Sequence, residues 1–244
     1  MGNLISMIDK VVILGISRGG TTYLRQLIQM YWGLGPYQDE YGVFNEELNP
    51  MYVGDNIENF YSSVKQKIND VKSNCIVKDH IQHYTFYKNK MGSEFPFNEW
   101  YSDFYKIKLL RTNIKNTSLS VSIAKETKQW FNMQDIKLIT VDPNQYRKDL
   151  DSHSKSTINL INFKSDFDLV IDYDELGNGV IPDQKKFPDL FPIQKDVNLT
   201  IKKRPPYDEV IENINELYDV YNSWVDDFNL NNKFNIVNDK ITLL

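Results

Sequence analysis

Cysteine is almost missing from this chain: Cys75 is the single one among 244 residues. That excludes an intramolecular disulfide framework and fits a reducing compartment, so the expected location is cytoplasmic. Histidine is also scarce, with three residues, and with one cysteine beside them no structural zinc site or other metal is expected. No apolar run reaches the roughly eighteen residues that a membrane-spanning helix needs, so no integral membrane segment is expected. The N-terminus lacks the charged start and long apolar stretch of a secretory signal. Met1-Gly2-Asn3-Leu4-Ile5-Ser6 fits the loose myristoylation pattern, for which a chance match is the simpler reading. An excess of positive charge is lacking too: 28 Lys and Arg stand against 33 Asp and Glu, a net charge of −5. Nothing in that balance suggests a nucleic-acid partner. Any anion must be caught by a local cluster of donors rather than by the overall field.

What is present is ordinary globular composition, 41 % hydrophobic and 25 % charged, enough apolar surface for a sizeable core. Residues 11–16 form a short β-rich run, followed by two glycines and a helix from Thr21 to Trp32 with Leu24, Leu27, Ile28 and Tyr31 on one face. Residues 33–55 read as a long surface segment, and a loop of that length tends to be functional. A helix is expected from Ile57 to Val71, a second strand over 75–78, and helices from His80 to Met91 and Phe97 to Tyr105. Then come a third strand (107–110), a helix from Ile114 to Trp130, and a helix opened by Asp142 as cap with Pro143 at its first position. Residues 168–173 give a fourth strand, 182–206 are irregular, and Tyr207 to Phe228 is an amphipathic helix. Strands alternating with helices predict an α/β fold with a mostly parallel sheet flanked by helices on both faces. One domain over 1–244 is expected, with 1–10 as an N-terminal extension and 207–229 as a C-terminal helix.

The first strand runs into Gly15-Ile16-Ser17-Arg18-Gly19-Gly20-Thr21-Thr22. A strand, a tight glycine turn and a helix N-terminus aim backbone N–H groups and the helix dipole at one point, which suits a phosphate. Gly19 and Gly20 allow close approach, and Thr21 and Thr22 add hydroxyls. The nucleoside triphosphate version of such a loop reads G-x-x-x-x-G-K-[ST], and here Thr21 stands where its lysine would be. That argues against ATP or GTP. The cation is instead Arg18, inside the loop, where it suits a donor carrying one phosphate joined to a sulfate. Further on, Leu109-Leu110-Arg111 ends a strand, and the next helix carries Ser118, Ser120 and Ser122. An arginine and a serine so placed suit a second phosphate.

With these residues the chain resembles the P-loop sulfotransferases that use 3′-phosphoadenosine 5′-phosphosulfate (PAPS). The run from Leu109 to Ser120, continuing to Glu126-Thr127-Lys128-Gln129-Trp130, looks most like the bacterial trehalose-2-sulfotransferase group. Asp142-Pro143 and Asp172-Tyr173-Asp174-Glu175-Leu176 resemble further landmarks, all in the family's order between about residues 11 and 176. The resemblance implies that Ser17, Arg18, Gly19, Gly20, Thr21 and Thr22 bind the 5′-phosphosulfate. It further implies that Arg111 and Ser120 bind the 3′-phosphate and that Tyr173 lies near the adenine. The chain departs at Ser17, where proline is usual, and at Gly19, where serine is usual. The family's arginine-to-serine spacing points to position 112, which is Thr112 here. Lys202-Lys203-Arg204 reads as a solvated basic run.

Sulfuryl transfer needs a base for the acceptor hydroxyl, cations for the sulfate and stabilisation of the leaving phosphate. Arg18 and the loop amides suit the last two, and Lys78 ends the second strand, where active-site residues gather in open α/β sheets. The base has two candidates. Lys78-Asp79-His80 resembles the Lys-x-His of cytosolic sulfotransferases, whose histidine is the base, and Gln38-Asp39-Glu40-Tyr41 resembles the trehalose-type segment, whose glutamate is. A neutral histidine suits the task near neutral pH without a large shift, which favours His80 over Glu40. Tyr37, Tyr41, Phe44, Tyr84 and Phe86 are candidates for an acceptor pocket, though most such aromatics belong to a core. The expected partner is a small-molecule or carbohydrate hydroxyl acceptor, and the expected product is adenosine 3′,5′-bisphosphate. The rival readings are a small-molecule or nucleotide kinase with an atypical loop and a non-catalytic nucleotide-binding protein.

Overall fold

A computed structural model describes residue 8 and residues 10–31, 43–45, 48–53, 56–70, 75–128, 138–174, 176 and 206–243. By their contacts the residues gather into two compact units, one drawn from 1–110 and 162–200, the other from 111–161 and 201–244. Among the described residues the chain passes from one to the other directly after a strand and at the end of a helix.

The first unit is built on a parallel sheet. Its strands are β1 (Lys10–Gly15), β2 (Val43–Asn45), β3 (Cys75–His80), β4 (Tyr105–Leu110) and β5 (Leu169–Asp172). They lie in the order β2-β3-β1-β4-β5, each pair parallel. The expected fold class, α/β with a mostly parallel sheet flanked by helices, is the one observed. Val11 to Leu14 are fully buried, as a central parallel strand covered on both faces requires. β2 lies within the segment expected to be surface loop; three residues give too short a period to be read from sequence.

Helix α1 (Thr21–Tyr31) lays Leu24, Leu27 and Ile28 on Val11, Ile13, Ile76, Ile107, Leu109 and Ile171. These are the i, i+3, i+4 positions that the sequence marked, and α2 (Ile57–Asn69) and α3 (Ile81–Met91) likewise follow its periodicity. The helix expected from Phe97 to Tyr105 shrinks to α4 (Phe97–Trp100). Its aromatics are drawn instead into one cluster: Tyr84 stacks on Phe95 at 4.1 Å, and Phe97 meets Phe163 edge-on at 5.6 Å. Ring packing of that kind overrides a local helical pattern. Tyr84 is therefore core, and Phe86, half-buried, packs edge-on against Tyr87 at 5.4 Å.

The second unit packs α5 (Ile114–Thr127), α6 (Pro143–Asn162), α7 (Tyr207–Val210), α8 (Ile214–Asn231) and the hairpin β6 (Phe234–Val237) and β7 (Lys240–Leu243). Their shared core includes Ile114, Leu119, Tyr146, Leu150, Leu217 and Trp224. Asp142 caps α6 as expected, its carboxylate accepting from the Asn144 N–H at 2.9 Å. The single helix expected from Tyr207 to Phe228 is broken at Ile211, whose extended backbone bridges to Ile139. The Ile139 N–H donates to the Val210 carbonyl at 3.0 Å, and the Asn213 side chain holds Val141 on both sides at 3.0 and 2.9 Å. The hairpin was not expected. Its turn places Asn238 and Asp239 at φ 50° and 63°, the left-handed pair that suits a two-residue hairpin turn.

Asp149, 2 % exposed, joins α5 to α6 by accepting from Ser122 Oγ at 2.9 Å, from Gln145 Nε2 at 3.0 Å and from Lys125 Nζ. One turn on, His153 donates through Nδ1 to the Asp149 carbonyl at 2.8 Å. Burial holds His153 below its ordinary 6.5, against an upward pull from the Asp149 hydrogen bond and charge, with the Lys125 and Arg111 charges adding smaller downward pushes. The unfolded chain therefore binds this proton more readily, so stability is full above pH 6.5 and falls as pH drops below it. Replacing His153 by Asn keeps the donor and removes the titration. Urea unfolding from pH 7 to pH 5 should show a shallower loss of stability for His153→Asn than for the parent; parallel losses would contradict a neutral buried His153.

Candidate functional site

Register is what assembles the site. Gly15 pairs with His80 and Ile13 with Lys78, so the end of β1 and the chemically equipped end of β3 lie side by side. β3 and β4 flank β1 on opposite sides, so the loop after Gly15 opens at the carboxyl end of the strand where chain order switches. That is the place where open α/β sheets hold ligands.

The loop is tightly built. The Gly19 N–H donates to the Ile16 carbonyl at 2.9 Å, and a Cβ on Gly19 would lie 2.7 Å from that same oxygen. Gly20 has φ +90°, and a Cβ there would lie 2.1 Å from the Tyr173 ring, which therefore rests directly on the loop. Gly15 is demanded by α1: its Cβ would meet the Thr21 methyl at 2.5 Å. The first intrahelical bond runs from Leu24 N–H to the Gly20 carbonyl at 3.0 Å, so the preceding N–H groups lead the helix without acceptors of its own. Arg18 has φ 59°. A left-handed arginine costs about 1–2 kcal/mol, a strain that points to a functional rather than a structural demand on this residue.

Around the loop stand the β3 residues. Lys78, 3 % exposed, donates from Nζ to Thr22 Oγ1 at 3.0 Å. His80 Nε2 lies 3.4 Å from Thr21 Oγ1, and the His80 side chain makes no hydrogen bond to cap α3. Ser17, Arg18, Gly19, Gly20, Thr21, Thr22, Lys78, His80 and Tyr173 thus belong to one neighbourhood of the first unit. Asp79 and His83, not among the site residues expected from the sequence, join it: the Asp79 carboxylate accepts from the His80 N–H at 2.8 Å and pairs with His83 Nδ1. Their i, i+4 spacing across the start of a helix was the available signal.

Arg111 and Ser120 lie in the second unit. Arg111 follows β4 and is half-buried, and Ser120 sits about two turns into α5 at 2 % exposure. Glu40, Tyr37, Tyr41 and Lys202-Lys203-Arg204 lie outside the described residues, as does the Phe44 side chain and the Met1-to-Ser6 segment. Among the described residues no helix is long and apolar enough to cross a membrane.

The described residues give an α/β fold with a tight glycine turn at the carboxyl end of its central strand. No family model matches the chain, and no curated protein matches it. Among solved structures it is similar to a sulfotransferase from Alicyclobacillus acidocaldarius, at 11 % identity over 91 % of this chain and 94 % of that one, with a TM-score of 0.42.

The two unusual backbones of the loop predict unequal effects. Gly20→Ala should destabilise the protein by about 2 kcal/mol or more, because alanine at that φ is strained and meets Tyr173. Arg18→Gly should leave stability within about 1 kcal/mol of the parent, relief of strain offsetting the added chain entropy. Urea unfolding of both variants checks this; equal losses would contradict the loop geometry.

Proposed function

We propose that this chain is a sulfotransferase that moves the sulfuryl group from PAPS to a hydroxyl acceptor by direct in-line transfer. The observation that carries the reading is the loop itself: a left-handed Arg18 inside a glycine turn at a helix N-terminus, with Lys78 and His80 beside it. A triphosphate loop would spend a lysine at the position of Thr21, whose hydroxyl here faces His80. Positive charge gathered within the loop suits one phosphate bonded to a sulfate.

In this reading His80 takes the acceptor proton as the acceptor oxygen bonds to sulfur. The sulfur–oxygen bond to the phosphate breaks, and its electron pair leaves on adenosine 3′,5′-bisphosphate. Arg18 and the leading N–H groups of α1 stabilise the charge that develops on the bridging oxygen, and Lys78 steadies the sulfate through the Thr22 side of the loop. Tyr173, resting on Gly20, is proposed beside the adenine. Arg111 and Ser120 are proposed for the 3′-phosphate on the sequence resemblance. The acceptor class is a carbohydrate, glycolipid or small alcohol, and the resemblance to the trehalose-type group makes a sugar hydroxyl the first to try.

Thermal shift separates this reading from its rivals. Adenosine 3′,5′-bisphosphate should raise the melting temperature, and ATP with magnesium should not; stabilisation by ATP–magnesium alone would overturn the proposal. Once an acceptor is found, Arg18→Ala should lower kcat by roughly 10²–10³, as loss of a transition-state charge contact does. Turnover equal to the parent's would remove Arg18 from the mechanism. Replacing His80 and Glu40 separately, each as its amide or Asn variant, should abolish the basic limb of the pH profile in one case only, and that residue is the base.

A further inference from the structure

β3 ends in Lys78-Asp79-His80 and α3 begins at the next residue. His80 is thus a hinge between strand and helix, with an extended backbone at φ −117° and ψ 142°. Such a junction has no strong preference of its own for where the ring goes. Asp79, 1 % exposed, holds the backbone of that junction: its carboxylate takes the His80 N–H at 2.8 Å and pairs with His83 Nδ1 from one turn into the helix. A carboxylate that deep persists only with donors and a balancing charge. Its charge is felt nearby: the Tyr84 and Tyr101 hydroxyls are held well above their ordinary value, first by burial and further by Asp79. The His80 and His83 rings stand 5.3 Å apart at 46°, and the far side of His80 meets Thr21 Oγ1 at 3.4 Å.

We propose that Asp79 and His83 are positioning residues for His80: the pair pins the strand-to-helix turn and sets the charge beside the His80 ring. The proposal rests on the sulfuryl-transfer reading for its catalytic meaning, but the hold on His80 is a property of the fold. With its proton on Nδ1 toward Asp79, His83 fixes the distance between the carboxylate and the first turn of α3. Among the described residues, the ionisable groups near this turn include Lys78 and Asp79 from β3, His83 from α3 and Arg18 in the loop that leads to Thr21, with Tyr84 and Tyr101 close enough to feel the Asp79 charge. Asp79 and His83 are joined to each other, as Tyr84 is to Tyr101, so removing His83 takes one partner from the Asp79 carboxylate. Loss of the carboxylate disfavours a protonated His80. Loss of the His83 ring takes from the carboxylate a partner that can carry a proton, and so favours it.

The test is nitrogen NMR of the histidine rings in the labelled full chain, titrated with pH in the parent, Asp79→Asn and His83→Asn. Asn at 83 keeps a donor where Nδ1 stood, and Asn at 79 keeps an acceptor for the His80 N–H. The His80 midpoint should fall in Asp79→Asn and rise in His83→Asn, and each variant should lose about tenfold or more in kcat with little change in KM for the donor. Midpoints that stay in place, or move in the same direction, would overturn the proposal, since a merely structural role predicts a lower melting temperature and nothing of opposite sign. If Asp79→Asn does not fold, His83→Asn decides alone: a midpoint that does not rise overturns the proposal. Thermal shift of the parent with adenosine 3′,5′-bisphosphate is run beside it. Opposite midpoint shifts without bisphosphate binding sink the sulfuryl-transfer reading and leave the positioning role standing; binding without midpoint shifts does the reverse.

Discussion

Gly15 and His80 face each other at the ends of two paired parallel strands, and much of the first unit follows from that register. Parallel strands run the same way, so their carboxyl ends lie on one side of the sheet and each must be followed by a crossover. The loop after β1 and the turn after β3 are therefore neighbours by construction. A slip of one residue would send Lys78 and His80 to the opposite face and bring Asp79 to theirs. The continuous burial of β1 and β3 makes such a slip expensive. Apolar strands thus fix the place of polar side chains that they do not themselves favour.

Both units keep ionisable groups in their interiors and hold them in similar ways. In the first, Asp79 is buried against a backbone N–H and His83. In the second, Asp149 is buried against Ser122, Gln145 and Lys125. A buried carboxylate adds little net stability even when paired, but the loss of one partner is costly, so each fixes the geometry of the helices that meet there. Asp79 fixes the start of α3 and Asp149 joins α5 to α6. Arg18 is different. Its left-handed backbone is a local cost within a loop otherwise eased by glycine, and the surrounding contacts of Gly19, Gly20 and Tyr173 maintain it.

Where local pattern and observed structure part, a long-range contact is responsible. The aromatics at 97, 100, 101 and 104 have helical spacing, yet the helix stops at Trp100 because the rings gain more by packing on Tyr84, Phe95 and Phe163. Residues 207–228 read as one amphipathic helix until Ile211 is claimed by its bridge to Ile139. The final hairpin had a legible turn in Asn238-Asp239, but strands of four residues leave hardly two periods of alternation to read.

The sequence by itself determined the α/β alternation, the glycine turn with Arg18 in it, the core face of α1, and Asp142 as a helix cap. Each of these is written within a dozen neighbouring residues, by periodicity, by glycine's freedom or by a side chain that bonds its own backbone. Only the tertiary structure decided that β1 pairs with β3 with Gly15 against His80, and that Tyr173 rests on Gly20. It also decided that the His80 side chain does not cap the helix that follows it, and that the Asp79 carboxylate joins the His80 N–H to the His83 ring. The physical reason is the same throughout. Strand pairing and the pairing of buried charge are settled between segments far apart in the chain, where the energy of contact outweighs anything that either segment prefers alone.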